Sequence, residues 1–292
     1  ALSNALRSLE QVAGADINPY AVAIARFRLT LAFLNAAGIL KLAAAPEVRT
    51  NLCVADSLLF GLEIMDLSMK ATPEARADWK NPLFLLEDAD EADRILGTRY
   101  HAVVGNPPYI VVSDKALRAT YKDKYVACHR EYQLVAPFTE RFFQLGVKGG
   151  FVGAIVGNGF MKREFGSKLI ENVLKNLELT KVVDTSGAYI PGHGTPTAIL
   201  FGRNQMPSGA PVSAVLGIRG EPSTPDEPGA GKVWRSISDN HSNIGFENEY
   251  VTVASMPRER FNAPPWSLGG GGASEVKSTL EARAKQRLAD LS

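Results

Sequence analysis

The stretch HAVVGNPPYIVV, His101 to Val112, is an apolar run that halts on an amide, two prolines and a phenol. Val103 and Val104 stand side by side instead of alternating with polar residues. That is the pattern of a strand buried on both faces, as in the interior of a parallel sheet. Asn106-Pro107 ends it, because proline has no N–H to donate and steers the residue before it away from helix. Upstream, VAGADI reads as a short buried strand ending at Asp16. Asn18-Pro19 then supplies an N-cap and a first-turn proline. Val22, Ala25, Leu29, Ala32 and Ala36 follow at helical spacing until Gly38 stops the helix. RTNLCVADSLL is a second strand ending near Asp56. Residues 61–98, polar and holding Pro73 and Pro82, read as an inserted excursion.

Downstream, QLVAPFTERFFQLGVKGG reads as an amphipathic helix closed by Gly149-Gly150. FVGAIVGN reads as a strand and REFGSKLIENVLKN as a helix. LTKVVDTSG and PTAILFGRN complete the clear strands. Strands alternating with helices predict an α/β doubly wound sheet. The character changes after Asn204, so residues 1–205 are expected to form one domain and 206–292 an extension and linker. PPWSLGGGGASE (Pro264 to Glu275) reads as an aromatic-anchored hinge into a final helix. It lacks the G-K-[ST] ending of a phosphate loop, since Lys277 falls five residues after Gly272.

Composition narrows the function classes. The 292 residues are 45% hydrophobic and 22% charged, ordinary for a globular protein, and the net charge of +1 gives no broad field for a polyanion. Nucleic-acid binding must therefore rest on local clusters or on another region. Cys53 and Cys128 are far apart and the four histidines lack ligand spacing, so no metal is expected. No run approaching a membrane span and no signal peptide are read, which suits a cytoplasmic location. The chain lacks an initiator Met and begins as if inside a helix, as an internal fragment of a longer protein would.

Three successive strands end in small polar residues: Asp16, Asp56 and Asn106. In open α/β sheets ligands bind beyond the carboxyl ends of strands, and an acidic strand-tip residue there holds a ribose diol. A second can accept from an exocyclic adenine amine. Each has a plainer role open to it: Asp16 could cap the helix at Asn18, and Asp56 the turn at Ser57. Together, ahead of a third polar tip, they read as walls of a nucleoside pocket.

From this composition an Asn-Pro-Pro-aromatic tetrapeptide is expected about 0.004 times by chance. Its chemistry suits an aromatic amine. The exocyclic nitrogen of adenine is a poor nucleophile because its lone pair is delocalised into the ring. Acceptors on both of its hydrogens draw it towards tetrahedral geometry and free that pair. The Asn106 side-chain oxygen and the Pro107 carbonyl are two such acceptors. Pro107 and Pro108 keep the peptide rigid, and the Tyr109 ring can stack on the base, worth about 1–3 kcal/mol in single-strand binders.

GADINPYAVAIARFRL, VADSLL, VVGNPPYI, FTERFFQLGVKGGFVGAIVGNGFM and PTAILFGR resemble successive motifs of gamma-type adenine-specific DNA methyltransferases. DINPYAVAIARFRL, IPGHGTPTAILFGR and PPWSLGGGGASE resemble, more narrowly, the large methyltransferases of phage growth limitation and BREX phage-defence systems. The resemblance implies a Rossmann-like sheet that uses S-adenosyl-L-methionine and acts on double-stranded DNA with a flipped adenine, with other phage-defence proteins as further partners. It implies that Asp16 holds the cofactor ribose with Ile17 beside its adenine, and that Asp56, next to Ser57, takes the adenine amine. Asn106, Pro107, Pro108 and Tyr109 would grip the target base. Family members stack a further aromatic from the loop before the last strand; Tyr189 is the nearest candidate here and His193 its rival. The family's glycine-rich first motif should precede Asp16 and is not in this sequence. The sheet is thus expected to lack its first strand, to be followed by a smaller α+β extension, and to be inactive alone, with DNA recognition lying beyond Ser292.

Glutamine methyltransferases acting on release factors share the tetrapeptide, and some RNA guanine methyltransferases carry a close variant. A non-catalytic DNA-binding defence subunit is the rival from another class. A nucleotide-dependent dehydrogenase ranks below these, because the tetrapeptide serves no hydride chemistry.

Overall fold

The computed structural model describes residues 1–61, 87–192, 194–273, 276, 279, 280 and 283. The excursion's residues 62–86, His193, Lys277 and most of the expected final helix lie outside them. The chain divides into two compact units, Ala1–Arg99 and Tyr100–Ser292.

In the first unit, α1 (Leu2–Glu10) leads into β1 (Ala13–Asp16), α2 (Pro19–Ala37), β2 (Asn51–Val54) and α3 (Ala89–Gly97). β1 and β2 are parallel, with Asp16 opposite Val54. The Asn18 side chain accepts from the Tyr20 N–H at 2.9 Å and caps α2, which Gly38 closes at φ 73°. Val22 and Leu29 pack on the strand side, but Ala32 and Ala36 are exposed and Phe33 and Leu34 take the buried places against Ala5 and Leu9. By length and composition α2 reaches the threshold of a membrane span, which the sequence reading does not anticipate. Arg26 and Arg28 sit at its middle. The Arg26 guanidinium is held at 2.7 Å by both the Leu52 carbonyl and Glu87.

The second unit is built on a six-stranded sheet of order β3-β4-β6-β5-β7-β8. Its strands are β3 (Tyr100–Gly105), β4 (Gly146–Gly157), β5 (Glu178–Asp184), β6 (Thr197–Arg203), β7 (Val212–Gly217) and β8 (Val251–Met256). β3 runs parallel to β4, and both β4 and β5 are antiparallel to β6. The tips of β3, β4 and β5 therefore open on the same edge. The architecture is the α/β class expected, with the sheet mixed rather than wholly parallel.

Three helices complete the unit: α4 (Lys115–Lys124), α5 (Val135–Leu145) and α6 (Lys232–Asn240). α5 seats Phe142 and Phe143 on one face of the sheet. A Cβ on Gly105 would stand 2.3 Å from the Phe142 ring, and one on Gly202 would stand 2.9 Å from Phe143. On the other face α6 packs Val233 and Ile237 against Val183, Val215, Val251 and Val253. A groove of about 570 Å³ over β3, β4 and β6 is left open, floored by Val104, Phe151 and Phe201.

Two local expectations are corrected. Gly149-Gly150 do not close a helix. α5 ends at Leu145, and the glycines form a bulge inside the start of β4, where Gly149 has φ 76° and a Cβ on Gly150 would strike two carbonyl oxygens. The run REFGSKLIENVLKN is not one regular helix but a 3-10 turn (Glu164–Gly166), a π-helical turn (Leu169–Val173) and another 3-10 turn (Leu174–Asn176). A Cβ on Gly166 would lie 1.9 Å from the Phe160 carbonyl, so backbone packs directly on backbone there. β7 and β8 are strands that the sequence reading leaves unassigned.

Glu140 is buried on α5, where it accepts from the Ala127 N–H at 2.8 Å, and burial raises its pKa. A carboxyl raised in the folded state contributes stability below its unfolded pKa and loses it as pH rises through the folded value. Glu140→Gln should therefore gain stability relative to the parent as pH rises from 4 to 8, measured as the difference in denaturant midpoints.

Candidate functional site

The strand tips of the first unit bring two of the expected carboxylates together. The Ala55 N–H donates to the Asp16 carbonyl at 3.0 Å, so the chain just beyond β2 is stitched to the end of β1 one residue before Asp56. Asp16 is exposed. One of its carboxylate oxygens accepts from the Asn18 N–H at 2.7 Å; the other carries no hydrogen bond among the described residues. The capping role and a ligand role are thus compatible in one side chain. Ile17 lies next to it with an exposed side chain. Asp56 is only 5% exposed, and its Oδ1 accepts from the Leu58 N–H at 2.9 Å, beside Ser57.

In the second unit the tetrapeptide sits at the tip of β3. The Tyr109 hydroxyl donates to the Asn106 side-chain oxygen at 2.5 Å and is 3.3 Å from the Ile155 carbonyl. A carboxamide oxygen has two lone pairs, so this bond orients Asn106 and leaves one acceptor direction for a ligand. Burial raises the Tyr109 pKa, which keeps the phenol a donor. Beyond the prolines the chain is pinned: Val111 bridges to Gln133, and the Leu134 N–H donates to the Ile110 carbonyl at 2.9 Å.

Sequence reasoning misses the neighbour that fits the tyrosine. Gly157, the last residue of β4, lies under Tyr109, and a Cβ there would be 3.3 Å from Cγ of the ring. Asn158 follows at the strand tip, and its N–H donates to the Pro196 carbonyl at 3.0 Å. A polar residue at a strand's carboxyl end is the signal that singles out Asp16, Asp56 and Asn106, and Asn158 answers to it as well. Tyr189 lies on the loop after β5, which leaves the same sheet edge. The Trp234 indole N–H donates to its carbonyl at 2.8 Å, anchoring the backbone.

The residues from 10 to 190 match the family model described as Eco57I restriction-modification methylase. Over 288 residues the chain is 44% identical to the adenine-specific methyltransferase PglX of Streptomyces coelicolor, covering 91% of this chain and 23% of that protein. It is 26% identical to the type II restriction enzyme and methyltransferase RM.Eco57I of Escherichia coli over 53% of this chain and 14% of that one. The chain thus spans about a quarter or less of these relatives. Among solved structures, a type I restriction enzyme modification subunit from Vibrio vulnificus aligns over 96% of this chain and 51% of its own, with a TM-score of 0.57 and 13% identity. That likeness is one of fold.

Neither cysteine supplies a nucleophile to these sites. Burial pushes the Cys53 thiol up to about 11 and the Cys128 thiol up to about 12, so both stay protonated near neutrality. At pH 8 both should react with Ellman's reagent far more slowly in the folded protein than in denaturant.

Proposed function

Because the chain belongs to the Eco57I restriction-modification methylase family, we propose that its residues form the cofactor- and base-gripping part of a methyltransferase acting on the exocyclic N6 amine of adenine in DNA. The observation that carries this reading is the strand-tip grip of the second unit, in which Tyr109 fixes the Asn106 carboxamide and two prolines stiffen the peptide between them.

In this reading the Asn106 side-chain oxygen and the Pro107 carbonyl accept the two hydrogens of the amine, while Pro108 holds their spacing and the Tyr109 ring stacks on the base. No charged base is required before attack, because the amine carries no proton that must leave first. The proton lost afterwards goes to water. Tyr189, on the loop after β5 at the same edge, is the candidate for the other side of the base. The flip costs a few kcal/mol of unstacking, offset by contacts elsewhere on the DNA.

The donor set at the tips of β1 and β2 fits S-adenosyl-L-methionine. Asp16, with one carboxylate oxygen open, suits the ribose diol; Ile17 offers an apolar flank; Asp56 and Ser57 suit the adenine edge. When bound, the cofactor supplies a methyl group activated on a sulfonium. A glycine-rich strand-end loop ahead of Asp16 would hold its methionine end. On this reading residues 1–205 serve catalysis and 206–292 lead towards DNA recognition. The protein works in the bacterial cytoplasm, in phage defence or restriction-modification, with other defence proteins as partners.

The test uses the full-length protein, tritiated S-adenosyl-L-methionine, and DNA, a release factor or RNA as acceptor. Label should enter DNA adenine, and Asn106→Ala should lower the rate about 10²–10³-fold, the scale for removing one polarising contact. Tyr109→Ala should weaken productive DNA binding by about 1–3 kcal/mol, and Tyr109→Phe by less. Label in protein or RNA instead of DNA, or an unchanged rate with Asn106→Ala, would overturn the reading.

A further inference from the structure

We infer that residues 257–271 are not a free hinge but a strap packed against the turn that follows Gly157, with Trp266 as a positioning residue for Tyr109. The inference rests on the function proposed above and names a part of that site outside the tetrapeptide and the strand tips.

The strap is fastened at three places. At its start the Arg258 guanidinium is buried and donates to the carbonyls of Leu174 at 2.7 Å and Leu177 at 3.1 Å, and to the Asn262 side chain at 2.9 Å. In its middle Trp266, 1% exposed, meets Phe160 edge-on at 5.5 Å and Phe261 at 5.1 Å, and its backbone N–H donates to the Met161 carbonyl at 2.9 Å. At its end the Gly217 N–H donates to the Leu268 carbonyl, the Gly270 N–H returns a bond to the Gly217 carbonyl at 2.9 Å, and the Gly271 N–H reaches the Thr252 hydroxyl at 3.0 Å. A Cβ on Gly270 would stand 2.8 Å from Ile218 and Thr252 side-chain atoms and 3.0 Å from the Leu216 carbonyl. Gly270 serves close approach to the end of β7, and Gly271 and Gly272 take the left-handed backbone, at φ 61° and 77°, that glycine favours.

The middle fastening acts on the site. Phe160 and Met161 belong to the 3-10 turn Asn158–Met161, which begins immediately after Gly157. Gly157 is the surface against which Tyr109 rests. The path from Trp266 to the tyrosine thus has two contacts, ring on ring and then backbone under ring, joined by three residues of a single turn. Both aromatic partners of Trp266 are fully buried, so the turn has no space into which to relax while the indole is in place. Trp266 Nε1 is buried with no hydrogen-bond partner among the described residues, so ring packing is the contribution its side chain makes there.

The experiment compares Trp266→Ala and Trp266→Phe in the full-length protein by two readouts. In hydrogen exchange, Trp266→Ala should raise exchange in peptides covering 106–112 and 157–166 and leave β7 and β8 near the parent level, and Trp266→Phe should restore protection. In methyl transfer, Trp266→Ala should raise the KM for DNA about tenfold with kcat changed less than threefold and the KM for S-adenosyl-L-methionine unchanged, and Trp266→Phe should return the KM to within about threefold. Unchanged exchange at 106–112, or equal loss of DNA and cofactor affinity, would overturn the proposal. If Trp266→Ala unfolds the whole unit, Trp266→Leu, which keeps apolar volume without a ring edge, is read by the same criteria. A parent protein that methylates no DNA would sink the proposed function, while the exchange arm would still decide whether the strap holds Tyr109.

Discussion

Tyr109 stands against a residue that has no side chain, and the site depends on that contact. With glycine at 157 the ring settles on the backbone of β4, close enough that a methyl group would have to push it aside. In that position its hydroxyl reaches the Asn106 carboxamide and fixes the amide plane. The prolines between them cannot donate hydrogen bonds and cannot rotate freely about φ, so the backbone carbonyls keep their directions. An exposed asparagine on an ordinary loop would sample several rotamers. Here, one hydrogen bond, one glycine and two rings of covalent constraint hold a neutral acceptor pair in place without any charge.

The sheet brings these parts to one edge. Because β6 runs antiparallel between β4 and β5, the tips of β3, β4 and β5 point the same way, and the tetrapeptide, the Gly157–Asn158 tip and the loop bearing Tyr189 all leave from one side. Close packing underneath relies on small residues. Gly105 and Gly202 admit the rings of Phe142 and Phe143 on α5, so the helix sits tightly below the strand that carries the grip. The same economy recurs at Gly166, against the Phe160 backbone, and at Gly270, against the Ile218 and Thr252 side chains and the Leu216 carbonyl.

Much of this was legible in the residues. Alternation of apolar runs with amphipathic stretches gives the α/β class, and polar residues after buried strands mark Asp16, Asp56 and Asn106 as tips. The Asn18 cap and the Gly38 stop also lie where local chemistry puts them. What was hidden is tertiary in origin. Gly149-Gly150 have the sequence of a helix stop, yet a neighbouring strand draws them into a bulge by pairing with Asn204. The segment after Arg163 has helical spacing, but it folds as 3-10 and π turns, with Gly166 packed on the Phe160 backbone at its start. β7 and β8 are short, and a polar loop and α6 separate them, so each is defined by its partner more than by its own pattern. A run of four glycines reads as a hinge until the strand end beside it is seen. Asn158 obeyed the strand-tip rule and was recoverable; the role of Gly157 was not, since only the ring above it explains the missing side chain.

β3 carries the tetrapeptide at its tip and stands at the end of the six-stranded sheet, next to β4. Its Val104 is 81% exposed, and the apolar groove begins beside it. A strand at the end of a sheet is a template on which a further extended chain can pair. A strand added there would stiffen β3 from behind, and with it the backbone that carries Asn106, Pro107, Pro108 and Tyr109.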